Sequence, residues 1–243
     1  MSLHSGFANN KGVHIHYLDS RDSADFSLIP LVICPGLSET AEEYEELVAD
    51  MSPRRCVVLS FRGRGRSDTP TEGYTLEHHI SDVECVVEEL GLERFHLFGY
   101  SRGVSYALAY AAKHPGRIAS LIMLDYPAVH KLMPPGWADE YINDYLVPFG
   151  RTMHIRPEAA RAIEADSADV ALDAAWSCPV LVMRGLLEGS LLGDAELSVY
   201  RRCCSQLTVY SSPHAAHNIR GNDQQEVHDR MVKFLEASES TSI

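Results

Sequence analysis

Short apolar runs alternate along this chain with longer stretches in which apolar positions recur at helical spacing. The runs Val13–Leu18, Leu28–Cys34, Cys56–Phe61, Phe95–Gly99, Ser120–Asp125, Val180–Arg184 and Leu207–Tyr210 are short and apolar, and predict strands. Between them, Ala41–Met51, Leu76–Leu90, Ser101–His114, Asp194–Cys204 and Gln224–Ala237 carry the 3.6-residue pattern and predict helices. Strand runs that are apolar at nearly every position have no solvent face. Repeated β-α alternation of this kind predicts an α/β fold, a mostly parallel twisted sheet with helices on both faces. Right-handed crossovers then bring the carboxyl ends of the strands to one edge, where ligands bind.

One junction in this pattern carries chemistry. Phe98-Gly99-Tyr100-Ser101-Arg102-Gly103 lies between the strand-like Arg94–Phe98 and the helix-forming Val104–Ala112, and reads as a nucleophile elbow. A strand-to-helix turn this tight holds its serine in a strained conformation. Glycines two residues before and after it remove side chains that would meet neighbouring backbone. The Ser101 hydroxyl is thereby expected at the carboxyl edge of the sheet.

Composition narrows the function classes. At 243 residues the chain fits one α/β domain, and no second domain is expected. The formal net charge of −13 leaves no basic footprint for nucleic acid or an anionic membrane surface. Met1–Gly6 lacks the basic start and apolar stretch of a signal peptide, and no later run is apolar enough to span a bilayer, so the expected location is the cytoplasm. The six cysteines Cys34, Cys56, Cys85, Cys178, Cys203 and Cys204 form no C-x-x-C pair and are expected to behave as small hydrophobes. His14 and His16 share one face of a strand, which could suit a metal but is more commonly a matter of strand packing or exposure; no metal and no cofactor are expected. The Ser-rich tail Ser238–Ser242 is expected to fray.

In this order of elements the chain resembles the α/β-hydrolase superfamily from about Val13 to Ala237. Four motifs carry the resemblance. Ile33-Cys34-Pro35-Gly36-Leu37-Ser38 stands where the superfamily usually has His-Gly before an oxyanion-hole residue, with Pro35 in place of the histidine. Ser60-Phe61-Arg62-Gly63-Arg64-Gly65-Arg66-Ser67 is similar to its D-x-R-G-x-G-x-S turn, with Ser60 where aspartate is common, and its arginines are read as scaffold. The elbow at Ser101 is the third motif. Pro213-His214-Ala215-Ala216-His217-Asn218, before a closing helix, is the fourth.

The resemblance implies a Ser-His-acid triad, because a serine hydroxyl needs a base within hydrogen-bond reach and the base needs an orienting carboxylate. It points to His217 as the base, ahead of His214 in the same loop. For the acid, Gly185-Leu186-Leu187-Glu188 fills the usual Gly-x-x-Asp slot and points to Glu188, with Asp125 at the end of the preceding strand as the competitor and Asp194, or no acid at all, behind both. The oxyanion donors implied are the backbone N–H groups of Leu37 and Arg102. The Arg102 side chain is read as a brace rather than a substrate contact.

The insertion from about residue 128 to 178 is implied to be a short helical lid, with helices over Trp137–Phe149 and Pro157–Ala175. Its apolar set includes Trp137, Tyr141 and Tyr145, which with Tyr100 are the candidate substrate contacts. The implied activity is cofactor-free hydrolysis of an ester, lactone or thioester of a small to medium, largely apolar substrate through an acyl-enzyme on Ser101. A carbon–carbon hydrolase or perhydrolase with the same triad is the first alternative. A ligand-binding or signalling protein on the same scaffold is the second. A serine in the elbow argues against the aspartate-nucleophile chemistries of similar folds.

Overall fold

The structure, a computed structural model, describes residues 3–240. Its strands are β1 (His4–Asn10), β2 (Val13–Asp19), β3 (Leu31–Cys34), β4 (Cys56–Leu59), β5 (Phe95–Tyr100), β6 (Ile118–Leu124), β7 (Val129–His130), β8 (Val170–Ala171), β9 (Val180–Gly185) and β10 (Leu207–Ser212). Eight of them form one sheet in the order β1-β2-β4-β3-β5-β6-β9-β10. The six from β4 to β10 run parallel, and β1 and β2 close one side antiparallel. The helices are α1 (Glu45–Asp50), α2 (Leu76–Glu89), α3 (Arg102–Lys113), α4 (Trp137–Tyr141), α5 (Pro157–Asp166), α6 (Asp194–Cys203), α7 (Ile219–Asn222) and α8 (Gln224–Ser240).

The continuous apolar runs are explained by the two-sided burial of each central strand. Val32, Cys34, Leu97, Leu121 and Met123 pack on one face with residues of α2, α3 and α6. Their neighbours Leu31, Ile33, Phe98, Ile122 and Leu124 pack on the other with residues of α1 and α8. Successive side chains point to opposite faces, so only a run that is apolar throughout satisfies both. On the first face the turn at Arg62–Gly65 is pinned by a buried ion pair, Arg62 Nη2 to Asp82 Oδ1 at 2.6 Å. Removing one partner of such a pair costs about 3–5 kcal/mol, because it strands the other charge.

The structure departs from the sequence expectations at edges and ends. β1 carries no predicted run because it is an edge strand with only Ala8 and Asn10 fully buried; it pairs with β2 around Lys11-Gly12, both at positive φ as in a two-residue hairpin. The stretch expected as one helix over Trp137–Phe149 is α-helical only to Tyr141 and π-helical over Ile142–Leu146. The helix expected over Pro157–Ala175 stops at Asp166, where Ser167 turns extended. There, side chains serve other backbone: Asp166 accepts from Tyr74 N–H, Ser167 from Met133 N–H and Asp169 from Leu132 N–H. Between β6 and β9 these elements form a third apolar cluster around Ala138, Ile142, Leu146, Ile155, Ala159 and Ile163.

The tail expected to fray is helical through Ser240; Thr241 and Ser242 lie outside the described residues. Its Glu239 accepts from Arg54 at 2.5 Å and pairs with His96 Nε2 at 3.1 Å, and it also takes the Ile29 N–H at 3.1 Å, latching α8 to the start of β5.

Burial pushes His96 down to about 4 and His130 down to about 3, and holds His79 well below its ordinary value. These imidazoles are neutral in the fold but protonate in the unfolded chain below about pH 6.5. Their contribution is therefore complete above that pH and is lost as pH falls, down to about pH 4 for His96. Urea midpoints are expected to drop steadily across this window, with a shallower slope in His96→Gln. A flat profile there contradicts the assignment.

Candidate active site

The strain expected of the elbow is present. Ser101 has φ 52 and ψ −134, between the end of β5 and the start of α3. The flanking glycines are required by close approach: a Cβ on Gly103 would lie 2.3 Å from the Cys34 and Pro35 carbonyl oxygens, and one on Gly99 would lie 2.6 Å from the Val104 Cα. The serine is thus held over the carboxyl ends of β3 and β5.

His217 reaches it from the loop after β10. Its Nε2 lies 3.0 Å from Ser101 Oγ. That loop passes very close to β9, for a Cβ on Gly185 would meet the Ala216 carbonyl oxygen at 2.3 Å. Tyr100 supports the imidazole from one side: the rings stack 5.2 Å apart at 18°, and the Tyr100 hydroxyl donates to the His217 carbonyl at 3.0 Å.

The carboxylate on His217 belongs to Asp125, and the expectation of Glu188 is corrected. Asp125 Oδ2 lies 2.8 Å from His217 Nδ1 and also accepts the Leu191 N–H at 3.0 Å. Its Oδ1 accepts from Ser190 Oγ at 2.6 Å and Gly185 N–H at 3.2 Å. All these other partners are donors, so the fully buried side chain is held as an acceptor and Nδ1 of His217 carries the proton. Nε2 is then free to accept from the serine. Glu188 instead lies exposed in a turn closed by Ser190 N–H on the Leu187 carbonyl, with Gly189 at φ 95. This turn carries Glu188 away while presenting Ser190 and Leu191 to Asp125. Asp194 is on the surface, paired with Arg184 at 2.6 Å, and His214 is exposed, its N–H on Ser212 Oγ at 3.3 Å.

A cavity of about 620 Å³ opens over Ser101 and His217. Leu37 lines it, and the Leu37 carbonyl is fixed from behind by Arg64 Nε at 3.0 Å. Arg102 supplies the first N–H of α3, which has no acceptor within the helix. Its side chain points away from the cavity and is buried, donating to the Lys131 carbonyl at 3.0 Å and lying 3.1 Å from His130 Nε2. It thus braces the segment after β6, through a carbonyl and an imidazole rather than a carboxylate.

Tyr100, Tyr141 and Tyr145 line the cavity. Trp137 does not; it stacks behind Tyr141, centroids 5.1 Å apart, within the third cluster. The walls are also more polar than the sequence suggested, since Ser38, Glu39, Glu43, Arg151 and Asn218 complete them. Arg151 donates to Glu43 and to the Ser38 carbonyl, at 2.8 and 2.9 Å. Glu43 had a readable local signal, as the N3 residue of a Thr40-x-x-Glu43 capping box. Arg151 had none, because its place depends on how the segment between β6 and β9 folds back. No group of three or more His, Cys, Asp or Glu side chains suited to a metal occurs among the described residues, and no helix there is long and apolar enough to cross a membrane.

Comparison with known proteins agrees with this architecture. A family model described as alpha/beta hydrolase fold matches residues 29–152. A protein named as a non-heme haloperoxidase, from Mycobacterium phage D29, is 33% identical over 101 residues, 41% of this chain and 36% of its own length. A proline iminopeptidase of Lactobacillus delbrueckii subsp. lactis is 33% identical over 111 residues, 44% of this chain and 36% of its own. The match thus spans little more than a third of either relative. The solved enol-lactonase from Burkholderia xenovorans superposes with a TM-score of 0.77 at 20% identity, covering 95% of this chain and 100% of that one. With its mostly parallel eight-stranded sheet and the family match over residues 29–152, the chain belongs to the α/β-hydrolase fold family.

Proposed function

We propose that this protein is a serine hydrolase that cleaves an ester, lactone or thioester through an acyl-enzyme on Ser101. The observation that carries the reading is the continuous hydrogen-bond line from Asp125 through His217 to Ser101, at 2.8 and 3.0 Å. In the first half-reaction His217 Nε2 takes the hydroxyl proton as Ser101 Oγ attacks the acyl carbon, and Asp125 stabilises the imidazolium that forms. The backbone N–H groups of Leu37 and Arg102 receive the developing oxyanion. His217 then returns the proton to the leaving group, and a water activated by the same nitrogen releases the acid.

The cavity refines the substrate class. Its tyrosine faces suit an unsaturated or cyclic body, while Arg151, Ser38 and Asn218 favour a substrate that carries oxygen functions beyond the scissile group. A long alkyl chain gains little from such walls. A non-catalytic binding protein on this scaffold would be argued from departures from the superfamily motifs, at Pro35 and at Glu188. With Asp125 on His217, the departure at Glu188 no longer argues for it.

Hydrolysis of p-nitrophenyl esters is expected to favour short acyl chains and to be abolished in Ser101→Ala and His217→Ala. Activity that persists without Ser101 contradicts the proposal. Asp125→Asn is expected to lower kcat by about 10⁴-fold by favouring the wrong imidazole tautomer, while Glu188→Gln leaves it essentially unchanged. A proton NMR spectrum separates the two carboxylates independently of turnover: the low-field His217 Nδ1–H signal is expected in wild type and Glu188→Gln and absent in Asp125→Asn. The reverse pattern restores Glu188 as the acid.

A further inference from the structure

We propose that Glu39 is a positioning residue for acyl transfer, its carboxylate locking the oxyanion loop and the histidine loop into one register. The proposal rests on the serine-hydrolase reading of the site. It begins with a gap in the loop: Pro35 stands where the superfamily usually has a histidine, and it has no N–H of its own to donate. The loop therefore needs another anchor.

Glu39 grips Gly36 at both of its backbone groups. Gly36 N–H donates to Glu39 Oε2 at 2.8 Å, and Glu39 N–H donates to the Gly36 carbonyl at 3.2 Å. The two residues between them, Leu37 and Ser38, are then fixed at their own carbonyls by Arg64 and Arg151. These bonds fix the segment that carries the Leu37 N–H, the group assigned to the oxyanion. Space is tight as well, for a Cβ on Gly36 would lie 3.0 Å from Glu39 Oε2 and 3.3 Å from the Tyr100 ring.

The same carboxylate reaches the other side of the site. Glu39 Oε2 also accepts from the Tyr44 hydroxyl at 2.5 Å, and Oε1 accepts from Arg220 Nη1 at 2.8 Å. Arg220 belongs to α7, directly after the His217 loop. Its guanidinium lies 3.6 Å from the Tyr44 ring centroid and 5.4 Å from that of Tyr100, the ring stacked on His217. The pair is largely shielded, with side-chain exposures of 14% for Arg220 and 20% for Glu39, so solvent screens it far less than a surface pair. Glu39 thereby joins the oxyanion donor, the ring behind the base and the helix after it. A charge-assisted network of this kind is stiff, and stiffness of the donors is what acyl transfer needs.

Three variants, Glu39→Ala, Glu39→Gln and Arg220→Gln, assayed with p-nitrophenyl acetate beside wild type, test the proposal. Glu39→Ala is expected to lower kcat by about 10²-fold, the range for losing one oxyanion donor, with KM little changed. Glu39→Gln keeps an acceptor for Gly36 N–H but loses the attraction to Arg220, so it is expected to recover roughly tenfold of that loss and to match Arg220→Gln. The double variant Glu39→Gln/Arg220→Gln is expected to be no worse than either single one, because both break one link. Wild-type kcat in Glu39→Ala, or a loss confined to KM, overturns the proposal. If Glu39→Ala does not fold by circular dichroism, additive losses in the Gln pair overturn it instead. A wild type that turns over the ester with dependence on Ser101 but not on Glu39 rejects this inference alone. One with no Ser101-dependent turnover rejects the hydrolase reading beneath it.

Discussion

The hydrogen bond between Asp125 and His217 is the constraint on which the rest of the site depends. A carboxylate with no solvent exposure is costly unless every lone pair is used, and Asp125 uses its own on four donors from three segments. Those segments are the end of β9, the turn after it and the histidine loop. Fixing Asp125 therefore fixes the relative positions of all three, and with them the height of the imidazole over Ser101. The backbone is compatible with this: Asp125 sits at φ 43, in the left-handed region that aspartate enters more readily than most non-glycine residues.

Around this bond the molecule places rigid groups, with strain at the elbow as the cost. Ser101 is raised from the sheet by a backbone conformation that only close packing can maintain, and the glycines at 99, 103 and 185 permit that packing. Buried or largely shielded arginines do the rest of the positioning. Arg64 holds the Leu37 carbonyl, Arg102 holds the Lys131 carbonyl after β6, and Arg220 holds Glu39, each donating to oxygen where a guanidinium without acceptors would be expensive. None of the three lines the cavity over Ser101.

How much of this was legible in the sequence depends on whether the information is local. The central strands were legible because burial on both faces demands apolar residues at every position. Ser101 was legible because the elbow is written in six consecutive residues. Which carboxylate meets His217 was not, since parallel pairing of Leu124 with Met183 brings the ends of β6 and β9 side by side, and either can offer one. A turn at Gly189 that no apolar pattern encodes decides between them. Trp137 was misplaced for a similar reason: helical spacing puts it in line with Tyr141 and Tyr145 but not at the same depth. The polar walls rest on contacts between residues far apart in the chain, such as Arg151 with Glu43, which no local pattern encodes.

The central claim is that Ser101 is an activated nucleophile because Asp125 orients His217. Intact-mass analysis after treatment with a fluorophosphonate tests it without assuming a substrate. One adduct per chain, mapped to Ser101, is expected to form rapidly in wild type and orders of magnitude more slowly in Asp125→Asn. Failure to label Ser101, or labelling as fast in Asp125→Asn as in wild type, would contradict it.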